Sequence, residues 1–258
     1  MRHGGTTQRI RQVVLVALLL AVSHRAQAGA SVVWELRATS GPPSRQQAAM
    51  VYDGARHKVV LYGGAGGGTY FSDTWEWDGT SWSLASATGP GGRYDPALAY
   101  DVDRGRVVLF GSCDVSCNDT WEWDGTSWAE RATTGPSPRY AYTLDYDEAR
   151  HRTVMFGGRD GPTLVYSGET WTWDGTTWTL VSSTGPARGA QSSTYDVARQ
   201  RVLIVGGLTA SSMLYDAWMW DGSSWTLATN SNPGYIHGRA LAYDTARALS
   251  VLFFGEET

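Results

Sequence analysis

The residues best suited to chemistry are four arginines. Arg45, Arg93, Arg139 and Arg188 each stand seven residues before a tyrosine and two or three after a proline, and in the next interval the position falls to Ile236. Guanidinium groups brought to one rim would hold a carboxylate, phosphate or sulfate through forked hydrogen bonds. The competing use is structural, each arginine pairing with an acid of a neighbouring repeat. Between the arginines lie segments of uneven length that carry Tyr70, Phe71, Asp114, Arg159, Asp160, Tyr166, Met213 and Tyr215. Aromatic rings beside polar groups suit contact with a sugar or a peptide, and such residues are also common in surface loops. Together these residues form a candidate ligand-binding face.

Other chemistry finds little support. Cys113 and Cys117 enclose Asp-Val-Ser, a spacing that predicts a local disulfide in an exported chain; a zinc site would need four ligands. Past the leader only His57, His151 and His237 are available. Gly63–Gly68 resembles a phosphate loop, but no helix follows it to supply its dipole. No serine nucleophile elbow is present. Asn118-Asp119-Thr120 fits a glycosylation acceptor. No catalytic residue, metal or cofactor is assigned.

What must position these residues is a repeat. Trp-x-Trp-Asp-Gly-x-x-Trp occurs four times, at Trp75/Trp77/Trp82, Trp121/Trp123/Trp128, Trp171/Trp173/Trp178 and Trp218/Trp220/Trp225; with Trp34 these account for all 13 tryptophans. Tyr-Asp-x-x-Arg occurs five times, from Tyr52, Tyr100, Tyr146, Tyr195 and Tyr243, and an apolar run ends in Gly63, Gly111, Gly157, Gly206 or Gly255. Three markers in step make internal repetition the organising feature. Each unit reads as four strands. The first ends in Tyr-Asp, and Asp-x-x-Arg turns into a β-branched second strand. The third carries Trp-x-Trp, whose spacing of two puts both rings on one sheet face. Asp-Gly reads as a two-residue hairpin turn into the fourth. The strict position of the tryptophans points to packing between units rather than to ligand stacking.

These residues resemble the Kelch-repeat β-propellers, on Gly63-Gly64, Gly157-Gly158 and Gly206-Gly207 and on aromatics at fixed offset before a Gly-Pro connection. The doublet is Gly111-Ser112 in the second copy and Gly255-Glu256 in the fifth. The resemblance implies an all-β propeller of four-stranded antiparallel blades around a channel, with four complete repeats and a partial fifth. Ser31–Ala38, with Trp34, matches a fourth strand, and the final unit stops after two strands; an imperfect ring or a chain cut short both fit. The resemblance also raises copper oxidases, whose two histidines and two tyrosines are not matched by His57 and His151 at opposite-face turns. A sialic acid mutarotase-like isomerase, which would use polar groups at the channel mouth, is a second enzyme reading.

Spacing shows where change is tolerated. The second tryptophan and the connecting proline are 13 residues apart in all four full copies, whereas the steps from the strand-ending glycine to Asp73, Asp119, Glu169 and Asp216 are 10, 8, 12 and 10. Length variation therefore collects between the second and third strands, on the face of the Gly-Pro links, where a rigid scaffold usually carries binding residues.

Composition bounds the rest. In 258 residues there are 31 glycines and 18% charged residues, with a formal charge of −4. An acidic chain argues against nucleic-acid binding, which wants a basic surface. Arg2, Arg9 and Arg11 precede the apolar Val13–Val22, and Ala26-Gln27-Ala28 supplies a cleavage site. Residues 1–28 are thus expected to be a signal peptide and 29–258 the propeller, without membrane insertion after cleavage, in a secreted, periplasmic or cell-surface setting. Partners expected at the loop face are a glycan or an extracellular protein. A structural domain of a larger surface protein is the third reading.

Overall fold

The computed structural model describes residues 35–112, 117–230 and 237–255. These residues form four four-stranded antiparallel sheets, arranged as the blades of a propeller. Blade 1 runs Ala49–Asp53, Lys58–Tyr62, Thr74–Trp77 and Trp82–Ser86, and blade 2 runs Ala97–Asp101, Arg106–Phe110, Thr120–Trp123 and Trp128–Ala132. Blade 3 runs Thr143–Asp147, Arg152–Phe156, Thr170–Trp173 and Trp178–Ser182; blade 4 runs Ser192–Asp196, Arg201–Leu208, Met213–Trp220 and Trp225–Thr229. A fifth unit is present as the hairpin His237–Asp244 with Leu249–Gly255. The first strands pack on one another in series, from blade 1 through to this hairpin. Among the described residues there is no helix. The expected signal peptide at residues 1–28, Trp34, Cys113 and Asp114 lie outside the described residues.

The core lies between blades. Each first strand alternates, so one set of side chains meets the blade before and the other the blade after. Ala49, Val60 and Tyr62 of blade 1 pack on Leu98, Tyr100, Val107, Leu109 and Trp123 of blade 2, and the same composition recurs at the next two interfaces. The second tryptophan of the later three pairs fills these seams: Trp123 is 1% exposed, Trp173 0% and Trp220 1%. The third tryptophan donates across the seam, Trp128 Nε1 to Thr74 Oγ1, Trp178 to Thr120 and Trp225 to Thr170, each at 2.8 Å. These tryptophans hold blades together, as their fixed spacing implies.

Tyr-Asp-x-x-Arg forms a local turn in all five copies. Asp53, Asp101, Asp147, Asp196 and Asp244 each ion-pair with the arginine three residues on. The tyrosine reaches further, to the preceding unit: Ala55 N–H donates to Tyr100 Oη, Ala149 N–H to Tyr195 and Ala198 N–H to Tyr243, while Tyr146 donates to Asp103.

The Asp-Gly turns differ from the sequence expectation. Trp77 pairs directly with Trp82, so the loop has four residues, Asp78–Ser81, rather than two. The cause is the aspartate side chain. Asp78 Oδ1 accepts from Thr80 N–H, Thr80 Oγ1 and Ser81 N–H, closing the loop as a backbone turn would. Gly79 takes the left-handed conformation, φ +96°. The longer loop leaves Trp77 and Trp82 opposed, with ring centroids 5.6 Å apart.

Candidate functional site: the loop face

All four arginines sit at equivalent positions, and none projects freely into an open mouth. Arg93 Nη1 donates to Gly111 O at 3.0 Å and Asp119 Oδ1 at 2.9 Å, and Nη2 donates to Asp119 Oδ2 at 2.6 Å. Arg188 repeats this on Gly206 O and Asp216, and Arg45 on Gly63 O and Asp73. Arg139 binds Gly157 O and Glu169. Their side chains are only 5%, 1%, 2% and 3% exposed for Arg45, Arg93, Arg139 and Arg188. The partner acid belongs to the blade that the arginine leads into, and it also accepts from the first tryptophan of that blade's pair. Trp75 donates to Asp73, Trp121 to Asp119, Trp171 to Glu169 and Trp218 to Asp216.

The glycine carbonyl and the acid are the two ends of the variable loop. Each arginine therefore staples one loop shut at its base, whatever the length between. Burial alone would raise the carboxyl of Asp119, but hydrogen bonds and charge from Arg93 outweigh it and hold the group below its ordinary value. Asp73 and Asp216 are lowered in the same way by Arg45 and Arg188. The arginines thus position the candidate ligand-binding loops from beneath.

Above the staples, the loop face carries an open cleft of about 560 Å³ lined by Ser44, Arg45, Gln46, Ala65–Gly68, Tyr70 and Tyr94. The glycine run that resembled a phosphate loop is a tight hairpin, Ala65–Gly66 paired with Thr69–Tyr70. Gly67 and Gly68 both have positive φ, +60° and +78°, as a twisted two-residue hairpin demands. That turn presents Tyr70, which is 55% exposed and lies 5.6 Å from the Tyr94 ring. Phe71 points inward instead and supports the Arg45 guanidinium at 4.1 Å.

Arg159, Asp160 and Tyr166 group on blade 3. The Arg159 guanidinium lies 5.9 Å from the Tyr140 ring and 5.8 Å from Tyr166. Asp160 caps its own loop, accepting from Thr163 N–H and Oγ1. Tyr215 is half-buried on blade 4, its hydroxyl 4.0 Å from Met213 Sδ. Of the predicted face, Tyr70 therefore shares a cleft with Arg45, and Arg159 shares a cluster with Tyr166; the structure does not bring the two groups into one site. Sequence reading missed Tyr94, Ser44 and Gln46. Their signal was adjacency to Arg93 and Arg45 in the links, which face the same side as the loops.

The histidines stay at the opposite-face turns, His57 Nδ1 on Tyr52 Oη at 3.1 Å and His151 Nδ1 on Asp103 at 2.5 Å. No complete disulfide is seen among the described residues, because Cys113 lies outside them. No group of three or more His, Cys, Asp or Glu that could hold a metal occurs among the described residues. The fold and this face define a β-propeller with a stapled, variable loop face. No family model matches the chain, and no curated protein matches it.

Proposed function

We propose that this chain is an exported Kelch-type propeller that acts as a non-catalytic binding module, with a glycan as the ligand of the blade 1 cleft. The observation that carries this reading is the cleft itself. Tyr70 is exposed and leans on Tyr94, which fixes its ring at little entropic cost. Ser44, Gln46 and the glycine-rich hairpin supply hydroxyl, amide and backbone groups around it. An apolar ring face ringed by neutral polar groups suits the face and hydroxyls of a sugar. The Arg45 charge is already matched by Asp73, so a neutral glycan suits the cleft better than an anion. The doubled left-handed glycines at Gly63-Gly64 and Gly157-Gly158 support the Kelch assignment, and the leader-like residues 1–28 support export.

Screening neutral oligosaccharides by calorimetry tests the reading. A sugar that binds wild type should lose at least about tenfold in affinity in Tyr70→Ala, since a base-like or sugar-like ring stack is worth roughly 1–3 kcal/mol. A ligand whose affinity is untouched by Tyr70→Ala, in a variant with unchanged melting temperature, places binding elsewhere.

A further inference from the structure

In three blades the residue after the glycine doublet pairs with two neighbours at once: the residue following the staple arginine, and a residue of the variable loop. The rung is Gln46–Ala65–Tyr70 in blade 1, Tyr140–Arg159–Tyr166 in blade 3 and Gly189–Leu208–Met213 in blade 4. Directly paired residues share a sheet face, so three side chains stand abreast on one repeated support while their chemistry differs from blade to blade. Blade 3 alone of these carries a charge there. The Arg159 guanidinium lies between the Tyr140 and Tyr166 rings. Its Nε donates to Leu164 O at 2.9 Å, while Nη1 and Nη2 meet no partner among the described residues. Arg45, Arg93, Arg139 and Arg188 are each committed to an acid; Arg159 is not. Its neighbour Asp160 pairs with Arg139 across the ladder, so strand alternation turns it to the other face, and Thr163 holds its carboxylate. The clamp is built in advance. Tyr166 packs on the backbone of Gly189, where an added Cβ would lie 2.9 Å from its ring. Beside it the loop displays Leu164 and Val165, 49% and 63% exposed, with Leu164 at φ +59°, a conformation that a leucine adopts only at a cost.

We propose that the blade 3 rung is a docking site for a protein partner: a carboxylate of the partner takes the Arg159 fork, and an apolar side chain next to it covers Leu164 and Val165. The open edge of the guanidinium is Nη1–Nη2, which matches a carboxylate bidentately. An acidic sugar would fill the fork but leave both aliphatic side chains bare. A peptide segment with Asp or Glu beside Leu, Ile, Val or Phe answers both. The site is separate from the blade 1 cleft and takes a charged ligand where that cleft takes a neutral one.

Selection from a random linear peptide library displayed on phage, with the chain as bait, tests this. Enriched sequences should carry Asp or Glu next to an aliphatic or aromatic residue. By calorimetry, the synthetic form of the strongest one should bind Arg159→Gln at least about tenfold more weakly, as loss of hydrogen bonds to a charged group implies. The same peptide with its carboxylate replaced by an amide should weaken equally. If Arg159→Gln melts early, Arg159→Lys takes its place, keeping the charge without the fork. Leu164→Gly keeps the backbone bonds of residue 164 to Asp160 O and Arg159 Nε and relieves the left-handed φ. It should melt no lower than wild type yet bind the peptide several-fold more weakly, a split that a purely structural residue would not give. Tyr70→Ala should leave the peptide's affinity unchanged, which separates this site from the glycan cleft. A library with no enrichment overturns the proposal, as does a selected peptide that binds Arg159→Gln as tightly as wild type. A polyuronate that binds through Arg159 where no peptide does overturns it too.

Discussion

Replacing Arg93 by alanine isolates what a staple contributes. The side chain is 1% exposed, and its loss removes two bonds to Asp119, one to Gly111 O and one to Pro90 O. Among the described residues, Asp119 would keep only the Trp121 indole as a side-chain donor. Breaking a buried ion pair from one side typically costs about 3–5 kcal/mol, because the remaining charge is left uncompensated. For a domain of this size each kcal/mol moves the melting temperature by roughly 2–4 °C, so Arg93→Ala should melt about 10 °C lower. Adding Asp119→Leu removes the stranded carboxylate, and the double variant should recover more than half of the loss. The acid limb should change too. Asp119 titrates below its ordinary value in the folded protein, so its contribution is full above the ordinary carboxylate range and disappears as pH falls through the lowered value. Arg93→Ala should therefore flatten the acid loss of stability. Urea and thermal unfolding followed by circular dichroism measure all three effects. A single variant that loses less than about 1 kcal/mol, the range of an exposed pair, or a double variant no better than the single, refutes the staple.

Three further outcomes follow from particular residues. Burial pushes the Asp145 carboxyl up to about 7 against one hydrogen bond from Ser193, and its Oδ2 lacks a partner; wild-type stability should fall as pH rises through 7, whereas Asp145→Asn should show no such fall in urea titrations at pH 5 and 8.5. Ala190 is exposed and holds φ +54°, so Ala190→Gly should stabilise by about 0.5–1 kcal/mol in thermal unfolding, relieving a left-handed strain. At Gly158, φ is +90° and an added Cβ would lie 2.8 Å from Tyr142 Cβ and 3.0 Å from Tyr140 O; Gly158→Ala should cost at least about 2 kcal/mol and show as a lower urea midpoint.

The architecture was legible because its signals are periodic. A tryptophan at a fixed offset in each copy must meet an equivalent environment, so Trp123, Trp173 and Trp220 read correctly as seam residues. The Asp-Gly turns misled by one step, because side-chain capping by Asp78 replaces the short backbone turn that the dipeptide favours alone. The loop face was harder. Arg45, Arg93, Arg139 and Arg188 were found in register, yet their partners Asp73, Asp119, Glu169 and Asp216 lie 26 to 30 residues onward, across a strand hairpin. The alternative of an acid partner was on the right chemistry but in the blade just ahead. Tyr94 escaped although Tyr140 holds the same place after Arg139; its role comes from folding beside Tyr70, a contact between blade 1's loop and the link into blade 2.

A staple at the base of a loop also changes what mutation can do to the protein over time. Lengthening a closed loop from 8 to 12 residues costs only about 0.4 kcal/mol of closure entropy, small beside the few kcal/mol held in the ion pair beneath it. Insertions, deletions and wholesale exchanges above the staple are therefore nearly neutral to folding, while the sequence below it stays fixed. Each blade can explore new surface independently of its neighbours. The same property makes the four loops natural grafting points for an engineer, with blade 3, already at the longest spacing, the first place to try.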